Sequence, residues 1–463
     1  MSLPVVPSKV YGRPRSIRDC EPGLPNSEIV LNGERVDLCS HSISVRGSPL
    51  RLRARRKMLH WKPLRLIPSL LELYSSSFNL PSHYNPVGGK GEVKNLNVDW
   101  LIIGGGTAGL SLLRKVGGLL VSRELMGDAW VPWMDPSLLS QLKETSKSFS
   151  EHILIGEYKG KFDEGLAIQS GQTTFVVRAK NVAFTNGSRF VPPLFPGNDL
   201  PGVASLRLYL RNRAWFNKPV FVGSSDDILR AASLVGGKVI HRKGAAYFSP
   251  PAVEDAQRKG VEVIPAEQLV AHGTRRVKSV EVDRVKIEAD SIIYGTVRQP
   301  RLEAIANFGL PYVFYSKSHV YLPKHDLMGK AGESLVLGGA RGISDPFTSA
   351  LSAEAAVGDP DQFLSLLRER EPHLLDYYRG QWSSSPSPYL LGKDGYVCEC
   401  EDITYSDVRD YMSFDQDVEF AKRAAGVCTG SCQGKHCAFM LGSILESASL
   451  ITFRSPLTPL VIP

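Results

Sequence analysis

The clearest patterning in the chain begins at residue 97, where Asn97–Leu110 reads NVDWLIIGGGTAGL: a continuous apolar run at Trp100–Ile103, three glycines, then a helical segment at Leu110–Val116. A run that is apolar at every position predicts a strand buried on both faces, as in a parallel sheet. Gly117–Glu124 (GGLLVSRE) supplies a second strand ending in an acid. The order recurs at Lys218–Gly244, with strand Pro219–Val222, a turn at Gly223, helix Asp227–Leu234 and strand Lys238–His241. Leu335–Ala340 (LVLGGA) predicts a further strand ending in glycines, followed by a helical stretch at Ser349–Ala356. Short helices are predicted over Asp402–Asp410 and Cys437–Leu445. Nowhere do eighteen apolar residues run together, so no transmembrane segment is predicted.

Strand, glycine turn and helix in that order carry a specific chemistry. In Gly104-x-Gly106-x-x-Gly109, the first glycine permits the tight turn. The second lets backbone approach a pyrophosphate, and the third lets helix and strand pack closely. Thr107 and Ala108 complete the loop, whose N–H groups would hold phosphate at the helix start. Glu124, twenty residues after Gly104, stands where a ribose-binding acid is expected. A glycine-rich turn that binds nothing is the competing reading of the same residues. At the second turn the fingerprint is degenerate: Ser224 and Asp226 would crowd or repel a pyrophosphate. A Rossmann-shaped domain without a dinucleotide is expected there.

Composition adds one strong feature. The 463 residues are 43% hydrophobic and 22% charged, with a net charge of +8, which describes a mildly basic globular chain of two to four domains. The densest basic run, Arg51–Lys57, has no nucleic-acid signature beside it and reads as a solvated face or a subunit contact. The N-terminus lacks the charged-then-apolar order of a secretory signal. Five of the seven cysteines fall between Cys398 and Cys437, as C-x-C and C-x4-C plus Cys428. Such clustering argues for a metal or redox site in a reducing compartment rather than a disulfide scaffold. Four thiolates suit either an iron–sulfur cluster or zinc. Gly430 and Gly434 around Cys432 would let backbone N–H groups point at sulfur. Cys428 reads as a spare buried residue, His436 as a neighbour, and Cys20 and Cys39 as isolated thiols. No Ser-His-Asp grouping, H-E-x-x-H or paired-carboxylate motif is present, and no catalytic residue is assigned.

Phe184–Val203 (FTNGSRFVPPLFPGNDLPGV), GSSDDILRAA, the N-terminal pieces Tyr11–Ile17 and Glu21–Asn26, and CECEDIT with AKRAAGVCTGSCQGKHC resemble an amine-oxidising family. Its members are the alpha subunits of heterotetrameric sarcosine oxidase and dye-linked L-proline dehydrogenase, the A subunits of opine oxidases, and hydrogen cyanide synthase. The match runs, with gaps, from about Tyr11 to the end. The cysteine segment resembles the bacterioferritin-associated-ferredoxin module, which implies a [2Fe–2S] cluster on Cys398, Cys400, Cys432 and Cys437.

The resemblance implies an α/β, two-dinucleotide-binding-domain flavoprotein fold of the disulfide-reductase-like, Rossmann type, with a small α-rich C-terminal iron–sulfur domain. Its expected divisions are 1–95, an arm left from a ferredoxin-like domain; 96–205, the first part of the nucleotide (FAD-type) domain; 206–300, a second Rossmann-like domain; 301–370, the return; 371–390, a linker; and 391–463, the [2Fe–2S] domain and C-terminal arm. FAD is implied at Gly104–Gly109, Glu124, Gly338 and Gly339. Such strands usually end in Gly-Asp, and Gly339 in the Asp position leaves ATP or NAD open at the same site. The implied partner is an FAD-containing beta subunit that takes hydride from the carbon beside an amine nitrogen, with FMN at the interface. Electrons would leave through the cluster to a dye, a quinone or a ferredoxin-like protein. The chain stops at FRSPLTPLVIP, where a folate-binding half continues in sarcosine oxidase; the expectation is therefore a proline- or opine-type dehydrogenase. The implied location is cytoplasmic, with peripheral membrane association through partners. Two other readings stay open: a non-catalytic electron-transfer or scaffold subunit with a structural nucleotide, and an NAD(P)H-dependent reductase.

Overall fold

The computed structural model describes residues 91–458 except 128–130, 275, 381 and 431, and in the N-terminal part residues 5–7, 14–16, 18–21, 24, 28–31, 34–37 and 39. The Arg51–Lys57 run lies outside the described residues.

The first sheet is built around the strand Glu92–Gly105. It is longer than its apolar run because Thr173–Phe184 pairs with it in parallel, from Glu92↔Thr173 to Ile103↔Phe184. Its buried end shows the two-residue period of a strand covered on both faces. Leu101 and Ile103 enter one core and Ile102 the other. Leu119–Leu125 and Ile153–Ile155 extend the sheet on one side, and Ser334–Val336 returns on the other. The helices Thr107–Val116 and Pro346–Val357 pack together over the Ile102 face. The returning strand is shorter than predicted. Gly338, at φ +59°, breaks it, and a 3-10 turn at Gly338–Arg341 follows.

The second sheet is parallel throughout, in the order Val203–Ser205, Ser291–Tyr294, Pro219–Val222, Lys238–Arg242, Glu262–Ala266. A three-stranded antiparallel sheet, Leu269–Glu288, follows its last strand. The α/β class with two dinucleotide-type sheets and a helical C-terminal region is therefore as expected.

The C-terminal region comprises a small hairpin, Tyr396–Cys398 with Ile403–Thr404, and the helices Tyr405–Met412, Val418–Ala425 and Cys437–Leu445. The first begins with a reciprocal cap between Thr404 and Asp407. The last is apolar on all sides and almost wholly buried. Phe439, 1% exposed, contributes about 2–3 kcal/mol by burial. Phe439, Cys398 and Cys437 belong to the same apolar core as Leu101 and Phe184 of the first sheet, so the cysteine region is packed onto the nucleotide-type domain. Among the described residues no helix is long and apolar enough to cross a membrane.

Candidate nucleotide cleft and thiol ring

The three fingerprint glycines do different work. Gly104 sits at φ +116°, and a Cβ there would lie 2.4 Å from the Thr185 carbonyl oxygen. Gly109 lets the helix approach the strand, since its Cβ would lie 1.9 Å from the Gly104 oxygen. Gly106 has an ordinary φ of −81°, and a Cβ there meets nothing within 4 Å. It faces open space because it lines a cleft of about 260 Å³. The helix Thr107–Val116 starts at Gly106 with no side-chain cap and no acid in its first turn. Its leading N–H groups are therefore left for a ligand, and the helix dipole favours an anion. These features fit a phosphate-bearing nucleotide.

Thr107, Ala108, Glu124 and Gly339 also line the cleft, whereas Gly109 and Gly338 do not. Gly338 is a packing glycine, with its Cβ position 2.4 Å from Ser349 Oγ. Glu124 is half exposed and paired with Arg211 at 3.1 Å. Deeper on that side, Glu157 accepts from Lys159 at 2.6 Å and from Thr458 at 2.8 Å. Burial alone would raise Glu157, but Arg123 and Lys159 outweigh it and hold the carboxyl low. At Gly339 a Cβ would meet Ser188 Oγ at 3.1 Å, leaving little room for the acid usual at that position.

The far end of the cleft is ionic. Arg189, 2% exposed, pairs with Glu21 at 2.7 Å and donates to the Lys435 carbonyl at 3.0 Å. It also pairs with Glu303. Burial would raise Glu21, yet Arg189 and Arg301 hold it well below the usual carboxylate range. Neither Arg189 nor Glu21 was assigned from sequence. Glu21 lies in the N-terminal motif Glu21–Asn26, but its partners are 168 or more residues away.

Arg189 leads directly to the cysteines, because Lys435 lies in the loop between Cys432 and Cys437. Cys398 contacts Cys400 and Cys437, and Cys432 also contacts Cys400 and Cys437. The four sulfurs form a closed ring. Cys428 adjoins the ring at Cys437, its Sγ 3.4 Å from that sulfur. Gly430 permits the closure, since a Cβ there would lie 2.2 Å from Cys400 Cβ. The Glu401 and Cys432 amides donate to the sulfurs of Cys398 and Cys400. Contact with Cys400 favours ionisation of Cys398, but contact with Cys437 and burial win and push it up to about 12. Among the described residues no three His, Cys, Asp or Glu side chains are arranged as a metal site. His436 stands at the edge of the ring, its pKa lowered to about 3, chiefly by burial.

One reading changes. Cys20 and Cys39, expected as separate thiols, are joined in a disulfide. Their Cα atoms are 5.6 Å apart, a proximity that a spacing of 19 residues does not reveal. At the second turn, Asp226 accepts from Ser249 and Asp227 from Arg298 at 2.6 Å, so these acids face their own protein. Gly223 abuts the next strand, since a Cβ there would lie 2.1 Å from the Gly295 oxygen, and the adjoining cavity holds only about 40 Å³.

No family pattern and no curated protein matches the chain. Among solved structures it is similar to L-proline dehydrogenase from P. horikoshii, with a TM-score of 0.59, 20% identity and coverage of 81% of each chain. Thioredoxin reductases from T. acidophilum and Lactococcus lactis each give a TM-score of 0.46, at 15% and 16% identity, covering 56% and 58% of this chain and 96% and 100% of theirs. The first likeness establishes a shared fold.

Proposed function

We propose that this chain is the alpha subunit of a flavin-dependent dehydrogenase of secondary amines. It binds a nucleotide at Gly104–Gly109 and relays electrons through a [2Fe–2S] cluster on Cys398, Cys400, Cys432 and Cys437. The observation that carries the reading is adjacency: Arg189 lines the cleft and bonds the backbone of the loop between two ring cysteines. A two-iron cluster would divide these four thiolates between two metal ions. The two amide-to-sulfur hydrogen bonds would tune its potential. The substrate class rests on the sequence resemblance and on the fold shared with a protein described as L-proline dehydrogenase.

The cleft residues would have simple tasks. The helix N-terminus and Gly106 hold phosphate, Glu124 meets a ribose, and Arg189 and Arg301 offset negative charge at the far end. FAD when bound supplies the electron-accepting chemistry; ATP or NAD is the alternative occupant, which the crowding at Gly339 favours. That crowding also supports a second reading, a scaffold subunit whose nucleotide is structural. In the main reading a beta subunit with its own FAD oxidises the amine, FMN lies between the subunits, and the Arg51–Lys57 run is a contact surface.

The test is anaerobic purification from the native source with its bound partners, followed by cofactor extraction, mass analysis, and iron and sulfide assays. A flavin, a second chain and about two irons per cluster-bearing chain are expected. Stoichiometric zinc without iron or sulfide would overturn the cluster, and ATP as the sole nucleotide of this chain would favour the scaffold.

A further inference from the structure

A second cavity, of about 660 Å³, lies apart from the nucleotide cleft and shares none of its residues. It opens between the turn after the strand Val320–Pro323 and the helices Asp361–Arg370 and Pro372–Arg379. Its size is that of a small-molecule site. Leu327, Leu364, Leu375, Tyr377 and Tyr378 give it a half-buried apolar and aromatic wall. Lys324, Arg368 and Arg379 also line it, and all three are exposed. Among the described residues Lys324 and Arg368 pair with no acid, and Arg379 makes only a 4.0 Å contact with Asp376. The acid in the lining, Asp326, is turned into its own loop, where it accepts from the Met328 and Lys330 amides at 2.9 and 2.8 Å. A further positive charge stands behind the wall. Arg341 is 0% exposed, and among the described residues no carboxylate pairs with it. It donates to the Tyr378 hydroxyl at 3.1 Å and to the Leu327 carbonyl at 2.8 Å, and its Nη1 has no partner. Buried arginines are ordinarily paired. The rings of Phe363 and Tyr378, each 5.4 Å from the guanidinium, offset its charge only in part. His325 adds no charge, because burial, and then Arg341, lowers its pKa to about 3.

We propose that this cavity is a binding site for a small aromatic anion. The ring lies against Tyr377 and Tyr378. The acidic group meets Lys324 and Arg368, and the charge of Arg341 behind Tyr378 strengthens the attraction. A cationic amine is repelled by the same groups. A neutral ring gains the wall contact alone, and an aliphatic anion gains the charge alone. The site stands independently of the nucleotide reading, since the cavity and the cleft have no residue in common.

The experiment titrates 2-naphthoate into the full chain and, separately, into the native complex, with calorimetric readout. The neutral analogue is 2-naphthamide and the non-aromatic one cyclohexanecarboxylate. Saturable binding of naphthoate is expected in both samples, at least about tenfold tighter than that of either analogue. The double variant Lys324→Gln/Arg368→Gln should weaken naphthoate binding by about tenfold or more. Its melting temperature and its extracted nucleotide should match the wild type, because both side chains are exposed and neither lines the cleft. Absence of saturable binding to the full chain would overturn the proposal, as would equal affinity for the neutral analogue. Wild-type affinity in the double variant would place the probe elsewhere and overturn it too. Binding to the full chain but not to the complex would assign the cavity to the partner subunit, and the small-molecule site would fall.

Discussion

Gly106 is the residue at which binding separates from folding. Its φ of −81° suits any amino acid, and a Cβ there meets nothing within 4 Å. Gly106→Val should therefore stay within about 0.5 kcal/mol of wild-type stability and lose the extracted nucleotide. Gly104→Ala should do the reverse, with destabilisation of roughly 3 kcal/mol or more, because φ is +116° and the new methyl would lie 2.4 Å from a carbonyl oxygen. Thermal melts beside cofactor extraction test the pair, and equal loss of fold in both would remove the distinction. Glu371 offers a second residue-level test. It is 1% exposed, and burial raises its pKa to about 7 although Ser344 and Asp345 donate to it. A carboxyl raised on folding binds its proton more tightly in the native state, so stability should fall as pH rises from about 4.5 to 7. The loss should be on the order of 1–3 kcal/mol, and Glu371→Gln should abolish it. Urea unfolding at several pH values reads the difference, and parallel profiles would show that Glu371 is ionised throughout. The tight turn at Gly104 and the close packing at Gly109 were legible because turn geometry is local. The Glu21–Arg189 pair and the Cys20–Cys39 bond were not, because nothing periodic joins residues that only tertiary packing brings together.

At the scale of elements, the boundaries were most legible where burial alone sets them. Cys437–Leu445 forms the predicted helix, and all but one of its residues are buried. The strand Glu92–Gly105 exceeds its apolar run because its outer half is stabilised by pairing, with polar residues facing water. The glycine-ended strand was over-extended for the opposite reason, as Gly338 turns the chain before the apolar pattern stops. The C-x-C and C-x4-C spacing named four cysteines that the fold places in contact with one another. A serine scan separates ring from spare. Cys432→Ser removes a ring member that touches both Cys400 and Cys437, and it should abolish the iron content and visible absorption of the native protein. Cys428→Ser should leave both unchanged, since Cys428 adjoins the closed ring at Cys437. Equal loss from both variants would place Cys428 among the ligands.

On the proposed function, the whole molecule would pass electrons along rather than bind an amine. The cleft runs from the glycine loop to the wall shared with the cysteine region, and its far end is filled by Arg189, Glu21 and Glu303 already paired with one another. A small amino acid would have to break those buried pairs to bind there, and separating such a pair costs several kcal/mol. The second sheet offers no alternative, because its turn acids are held by Ser249 and Arg298. We therefore expect the isolated chain, reconstituted with flavin and cluster, to reduce no dye with proline, sarcosine or an opine. With its beta subunit restored it should do so, proline first, across a permanent interface of roughly 2,000 Å² or more. Stopped-flow comparison of the isolated chain with the complex decides the matter. Dye reduction by the isolated chain at the rate of the complex would mean that the paired cluster opens to substrate, and this subunit would then be the enzyme itself.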